Sequence, residues 1–241
     1  MLRRLIQRAG DALPSQCAVC RVWPCREPVC EDCVTAFAQP EPRCSLCALP
    51  VPLAVASFAG DVVRCGACVL SPPPLDLCLA GVSYHYPWQE LVADFKFRDT
   101  PGWASMFALL LKSMHGVEAA IEEADLLLPV PLSTSRMHQR GFNQALELAY
   151  ALDAPKTRAT YLLRIKDTPP QSLLDRVARL RDVLDAFTVD PLLASQIKGK
   201  KIVLVDDVMT TGATLYAASR ALRAAGAAHI TGLVFARTAE K

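Results

Sequence analysis

The chain reads as a two-part protein, a small cysteine-rich module followed by an α/β domain whose parallel sheet is flanked by helices. Three observations predict this. All ten cysteines fall between Cys17 and Cys78. Beyond them, short apolar runs alternate with amphipathic stretches, the rhythm of strands and crossover helices. Near the end, Ile202-Val203-Leu204-Val205-Asp206-Asp207-Val208-Met209-Thr210-Thr211-Gly212-Ala213-Thr214 passes from an apolar strand through two carboxylates into a hydroxyl-rich turn.

At 241 residues and 52% hydrophobic side chains, the chain can build one sizeable core and a small attachment. A net charge of +2 neither demands nor excludes a polyanion, so any anion site has to be local. No apolar run reaches the roughly 20 residues of a membrane helix, and no membrane span is expected. Residues 1–8 are basic and amphipathic, and Gln7, Arg8, Gly10 and Asp11 interrupt anything resembling a secretory signal. A packed or surface helix is expected there, and a cytoplasmic location for the protein.

Eight cysteines form Cys-x-x-Cys pairs: Cys17/Cys20, Cys30/Cys33, Cys44/Cys47 and Cys65/Cys68. Each pair can turn two thiolates toward one ion, and two pairs complete a tetrahedral sulfur site suited to zinc. Taken in sequence order the pairs make two successive sites. An interleaved pairing and a single filled site also satisfy the spacing, and an iron–sulfur cluster also takes four cysteines. Stable disulfides do not suit a cytoplasmic chain. Cys78, in an apolar run, reads as a buried thiol, and Cys25 as a bystander or a substitute ligand. The segment is proline-rich and lacks sustained periodicity, so metal is expected to supply much of its stability. Arg21, Arg26, Arg43 and Arg64 offer phosphate contacts or an ordinary solvated surface. The prolines at 72–74 are expected to end the module, giving 1–75 as N-terminal helix plus double zinc ribbon and 76–241 as the second domain.

In the second domain, residues 81–86 alternate as a strand. Pro87 then opens a helix with Trp88, Leu91, Val92 and Phe95 on one face. Helices are expected at 103–115, 141–152, 173–186 and 215–225, and strands at 126–132, 161–165, 202–208 and 230–236. In such a sheet the ligand lies at the carboxyl ends of the strands. There Asp206 and Asp207 can hold the 2′- and 3′-hydroxyls of a ribose. Thr210, Thr211, Gly212, Ala213 and Thr214, at a helix start, can cradle its 5-phosphate. The segment from Pro129 to Gln144 leaves another strand and carries Arg136, His138 and Arg140, a second anion site able to meet a pyrophosphate through Pro131, Leu132, Ser133, Arg136 and Arg140. Residues 164–171 form a polar loop able to close over a reactive centre. Arg176, Arg179 and Arg181 present either a solvated basic face or phosphate ligands. The four histidines show no triad pattern.

The 202–214 stretch resembles the phosphoribosyl-pyrophosphate (PRPP) motif of type I phosphoribosyltransferases. Together with Pro-Val-Pro-Leu at 129–132, Arg-Gly-Phe-Asn-Gln at 140–144, Thr-Pro-Pro-Gln at 168–171 and the cysteine pairs, it resembles the ComF/ComFC (GntX-like) family. Those proteins couple a double zinc ribbon to a type I phosphoribosyltransferase-like domain and are linked to natural transformation. The 140–144 segment is the most specific part. One departure is visible: Asp182 stands where relatives commonly carry Asn.

The resemblance implies a PRPP-binding protein that handles single-stranded DNA during competence, with two structural zinc ions and Mg²⁺ accompanying PRPP. It further implies a phosphoribosyl transfer with unknown acceptor, Asp206 and Asp207 being the catalytic pair, and a competence helicase as partner. The alternative is a non-catalytic nucleotide- or DNA-binding adaptor that docks a DNA-uptake helicase through its zinc module. A zinc-dependent regulator lacks the basic recognition helix it would need.

Overall fold

The computed structural model describes residues 15–52, 62–97, 102–166 and 186–239. The basic start at 1–8, the Thr-Pro-Pro-Gln stretch, the expected helix at 173–186 up to its last residue, and Arg176, Arg179, Arg181 and Asp182 lie outside them. The chain falls into two compact units that divide between Pro40 and Glu41, and not at the proline run 72–74. The first carries Cys17, Cys20, Cys30 and Cys33 and the short helix α1 (Glu31–Phe37). The second carries the remaining cysteine pairs and the whole sheet.

In the larger unit α2 (Gly66–Leu70) precedes β1 (Leu77–Ser83). Next come α3 (Trp88–Phe97), α4 (Trp103–Lys112), α5 (Val117–Glu123), β2 (Leu126–Pro129), α6 (Thr134–Arg140) and α7 (Gln144–Asp153). They are followed by β3 (Leu162–Arg164), β4 (Phe187–Val189), β5 (Lys201–Met209), α8 (Ala213–Ala224) and β6 (His229–Arg237). Among the described residues the main sheet has the order β1-β6-β5-β2, and every neighbouring pair is parallel. The register sets Leu128 beside Leu204, and Leu204 beside Gly232.

A parallel sheet needs cover on both faces, which is why Val203, Leu204, Val205, Leu233, Val234 and Phe235 are all buried. On one face α4 packs against β1, β6 and α7, and α7 lies over β2 and β5. The ring of Phe107 stacks on Phe235 at 3.8 Å between centroids, and Phe95 meets Phe107 edge-on at 5.5 Å. Gly81 permits this closeness, since a Cβ there would sit 2.9 Å from Leu111 and 3.0 Å from the Phe235 carbonyl. The other face is covered by α8, by β4 and by the second cysteine turn: Cys44, Leu46, Cys47 and Cys68 share a core with Leu204, Leu215 and Val234.

Several expectations meet a different structure. The strand expected at 81–86 ends at Ser83, the helix expected at 103–115 ends at Lys112, and the helix expected at 141–152 begins only at Gln144, because Gly141 ends a separate helix, α6. The stretch at 161–165 does not extend the parallel sheet. The chain touches β2 through one parallel bridge, Leu127 to Thr157, and then leaves to pair β3 with β4 in a separate antiparallel ribbon. Residues 126–132 hold strand geometry only to Pro129, because Val130 turns off after one last bond to the Val205 carbonyl (2.9 Å).

Phe107→Ala should remove this stack and leave a cavity, lowering unfolding stability by about 3–5 kcal/mol in urea titration.

Candidate ribose-phosphate cleft and cysteine centres

At the carboxyl end of the sheet lies a cleft of about 530 Å³. Its walls include Pro131, Leu132, Arg136 and Arg140 from the segment after β2, and Asp206, Asp207 and residues 210–214 from the segment after β5. Two sequence-distant segments thus face one another because β2 and β5 are neighbours in the sheet. Ser133 is the exception among the expected contacts. It is buried and caps α6 by accepting from the Arg136 N–H (3.4 Å), and the residues lining the cleft do not include it.

The turn after β5 is shaped by Gly212, whose φ of +81° is costly for any residue with a Cβ. A Cβ there would also lie 2.5 Å from the Tyr216 ring and 2.6 Å from the Met209 methyl. The glycine therefore lets the turn lie flat on those side chains at the start of α8, whose first N–H groups have no intrahelical acceptor.

Each residue of the 140–144 run has an assignable task. Gly141, at φ +77°, terminates α6. Phe142 packs on Phe95 with centroids 5.6 Å apart. Asn143 caps α7 by accepting from Ala145 N–H (3.0 Å), and its Nδ2 donates to the Val130 carbonyl (3.1 Å). This ties the helix start to the loop that leaves β2. Gln144 is buried and accepts from Arg140 (2.9 Å), whose guanidinium also lies 5.5 Å over the Phe97 ring. The five residues together aim Arg140 into the cleft.

Sequence reading missed the lining residues Tyr84, Lys96 and Phe97, whereas Gln139 and Arg164 belong to the segments 129–144 and 164–171 expected at the site. Lys96 matters most, since its Nζ lies 3.1 Å from Asp207 Oδ2, both side chains being largely buried. Helical spacing contained the signal. Lys96 follows fully buried Trp88 and Val92 at successive intervals of four, so it continues the inward-facing seam of α3 at its last turn.

Asp206 is pushed up to about 7, first by removal from water and second by the adjacent negative charge of Asp207. The Asp207 backbone N–H, Lys96 and Arg140 oppose the rise. Burial pulls Arg140 below its usual range, partly offset by Asp207 and Asp206. Two carboxylates thus face several cations within one cleft, and burial together with these neighbours perturbs the charge states of Asp206 and Arg140.

The eight paired thiols gather in sequence order: Cys17, Cys20, Cys30 and Cys33 form one group, and Cys44, Cys47, Cys65 and Cys68 the other, with all ligand atoms of a group within 4.8 Å of one another. All ten cysteines are free thiols. The separations of 3.6 Å between Cys20 and Cys30 and between Cys47 and Cys65 are far beyond a sulfur–sulfur bond and suit thiolates around an ion. In each group a backbone N–H donates to the first sulfur at 3.3 Å, from Cys30 to Cys17 and from Cys65 to Cys44. Burial raises the Cys44 thiol, but N–H donors from Cys65, Leu46 and Cys47 outweigh it and bring Cys44 to about 7. Burial is likewise outweighed at Cys17, where N–H groups of Cys30, Cys20 and Val19 bring the thiol to about 6. Both groups fit zinc, which would be held by four thiolates with no open position and so serve structure. Cys25 stands outside both groups and donates to the Glu27 carbonyl (2.9 Å). Cys78 is buried, and its thiol is pushed up to about 12 by burial and the neighbouring Cys47.

This parallel sheet, with acidic pair and hydroxyl-rich turn at its carboxyl end, defines a phosphoribosyltransferase-type domain, and residues 139–241 match the phosphoribosyl transferase domain family. The chain is 30% identical to the DNA utilization protein YhgH of Salmonella typhimurium over 230 residues, 90% of this chain and 96% of that protein. It is 29% identical to competence protein F of Haemophilus influenzae, covering 69% of this chain and 75% of that one. It is 33% identical to competence protein ComFC of Bacillus subtilis, covering 61% and 58% respectively. The chain belongs to this ComF/ComFC and YhgH family of phosphoribosyltransferase-domain proteins with paired four-cysteine groups.

Two predictions follow from this geometry. The raised pKa of Asp206 means that its contribution to stability is present below about pH 4 and is lost as pH rises through about 7. Asp206→Asn, which mimics the protonated form, should melt a few degrees above the ligand-free wild type at pH 8 and close to it at pH 4, as read by thermal denaturation. Purified protein should carry close to two zinc ions per chain by elemental analysis, and Cys44→Ser with Cys65→Ser should lower this to about one.

Proposed function

We propose that this protein binds PRPP, or a closely related ribose 5-phosphate ligand, and acts on or beside single-stranded DNA during natural transformation. The observation that supports it best is the convergence on one cleft of Asp206 and Asp207, the turn at 210–214, and Arg136 with Arg140. In this reading the carboxylates hold the ribose hydroxyls. The turn and the start of α8 take the 5-phosphate through backbone N–H groups and the hydroxyls of Thr210, Thr211 and Thr214. Arg136 and Arg140 take the diphosphate by charge-assisted hydrogen bonds, and Arg140 arrives already oriented by Gln144 and Phe97. When ligand enters, Lys96 can release Asp207 to the sugar and turn to a phosphate oxygen. Mg²⁺ bound with the ligand would neutralise diphosphate charge, and the carboxylates of Asp206 and Asp207 are the oxygen donors suited to it.

If transfer occurs, the C1–O bond to the diphosphate breaks as an acceptor bonds to C1, through a transition state with positive charge on the sugar. The chain's part is to orient the two groups and to stabilise the leaving diphosphate, with no covalent nucleophile required. The DNA context rests on the names of the relatives, DNA utilization and competence proteins. We place the protein in the cytoplasm with its two cysteine groups zinc-loaded, and read those groups as the docking element for DNA or a competence helicase.

Calorimetric titration with PRPP and Mg²⁺ should show binding that Asp206→Asn with Asp207→Asn weakens by at least about 100-fold, the loss of two charge-assisted contacts. Unchanged affinity refutes the pocket assignment. Incubation with PRPP and single-stranded DNA, nucleotides or free bases then separates the two functional readings. Pyrophosphate release above that of the double variant identifies a transferase, whereas intact binding without release identifies an adaptor.

A further inference from the structure

Arg237, the last residue of β6, is 2% exposed. Its Nε donates to the carbonyl of Cys47 (2.9 Å), a member of the second thiol group. Its Nη1 donates to the carbonyls of Met209 (3.3 Å), Thr210 (2.5 Å) and Thr238 (2.5 Å). A buried guanidinium directed to backbone carbonyls acts to hold main chain in place; the Met209 carbonyl also accepts from the Thr238 N–H (3.1 Å), so there Arg237 shares an anchor, while it adds anchors of its own at Cys47 and Thr210. Here the main chain belongs to two loops that are remote in sequence: the thiol turn at 44–48 and the entrance to the phosphate turn at 209–210.

Two further contacts join the same loops. Cys78 donates its N–H to the carbonyl of Ser45 (2.7 Å), between thiols Cys44 and Cys47, while its Sγ lies 3.7 Å from Met209 Sδ. Met209 and Tyr216 form the floor on which Gly212 rests. Tyr216 in turn packs on the core that contains Cys44, Cys47 and Cys68. The underside of the phosphate turn is therefore built against the second thiol group. In a trans peptide the N–H points opposite to the preceding carbonyl, so fixing the carbonyls of Met209 and Thr210 also fixes the N–H directions of Thr210 and Thr211.

We infer that Arg237 is a positioning residue that couples metal occupancy at Cys44, Cys47, Cys65 and Cys68 to the geometry of the 210–214 turn. The metal is then a structural determinant of anion binding at a site it does not touch. Because coupling between two sites is reciprocal, ligand in the turn must also tighten the hold on the metal. The role of the turn as phosphate cradle is the reading given above; the mechanical link between the loops is independent of it.

The test is amide hydrogen exchange on the full zinc-loaded chain, before and after stripping with a chelator, in wild type and Arg237→Met. Stripping should speed exchange at Tyr216 and Thr238, whose N–H groups donate to the Gly212 and Met209 carbonyls of the turn, by about tenfold or more in wild type, against little change at 203–205 in β5. Arg237→Met should keep its zinc and show the faster turn exchange from the start, and stripping it should add little. Arg237→Lys, with charge but no fork, should fall between. A turn unaffected by stripping, or effects of stripping and mutation that simply add, overturns the coupling. If Arg237→Met does not fold, or stripping loosens 203–205 as well, the reciprocal measurement on the intact wild type decides. Saturating ribose 5-phosphate should slow zinc transfer to a colorimetric chelator several-fold, and an unchanged rate with ligand bound overturns the proposal. A protein that fails to bind ribose 5-phosphate refutes the cradle assignment instead, and exchange in the ligand-free chain still decides the link.

Discussion

The parallel pairing of β5 between β6 and β2 is the constraint on which the rest depends. β5 is central in the described sheet and buried along most of its length, so its end point is set by a ladder on each side. Asp206 and Asp207 still belong to the strand, and the turn begins immediately after it. Their positions therefore inherit the rigidity of the sheet, which is what a polar site needs when its groups must meet a ligand without rearrangement. The same pairing brings the segment after β2 to the opposite wall, where Asn143 fastens the Val130 carbonyl to the start of α7.

Charge is balanced locally. Burial first, and then the repulsion of Asp207, push Asp206 up, and Lys96 and Arg140 supply the compensating field. In the proposed reading, a ligand carrying both hydroxyls and anionic groups would replace these internal partners one by one. The cationic lining is thus local, in a chain whose net charge is only +2. The second thiol group packs within the larger unit, joined to the turn after β5 through Arg237, Cys78 and Met209.

Much of this was legible from residue patterns. The apolar seam of α3, the strand-to-turn motif after β5 and the four cysteine pairs each encode a local geometry, and local geometry is what periodicity and spacing report. The boundaries that slipped were decided by partners. Residues 161–165 have strand propensity, yet their pairing with 187–189 in place of the parallel sheet depends on where α7 delivers the chain. Ser133 looked like an anion ligand because a hydroxyl beside a helix start serves either a ligand or the helix itself, and here it caps α6. Lys96 was hidden because a lysine at the end of a helix ordinarily faces water or the helix dipole.

By itself, the sequence determined most of the strands and helices, the four cysteine pairs, and the acidic pair with its glycine-dependent turn, because each is written in residues close together along the chain. Only the tertiary structure decided which loops share a wall, that Lys96 faces Asp207, that the compact units part at Pro40, and that Arg237 bridges a thiol turn to the turn after β5, far from it in sequence. The physical reason is that a parallel sheet brings together the carboxyl ends of strands distant in the chain, and burial then requires every polar group enclosed there to find a partner whatever its sequence position.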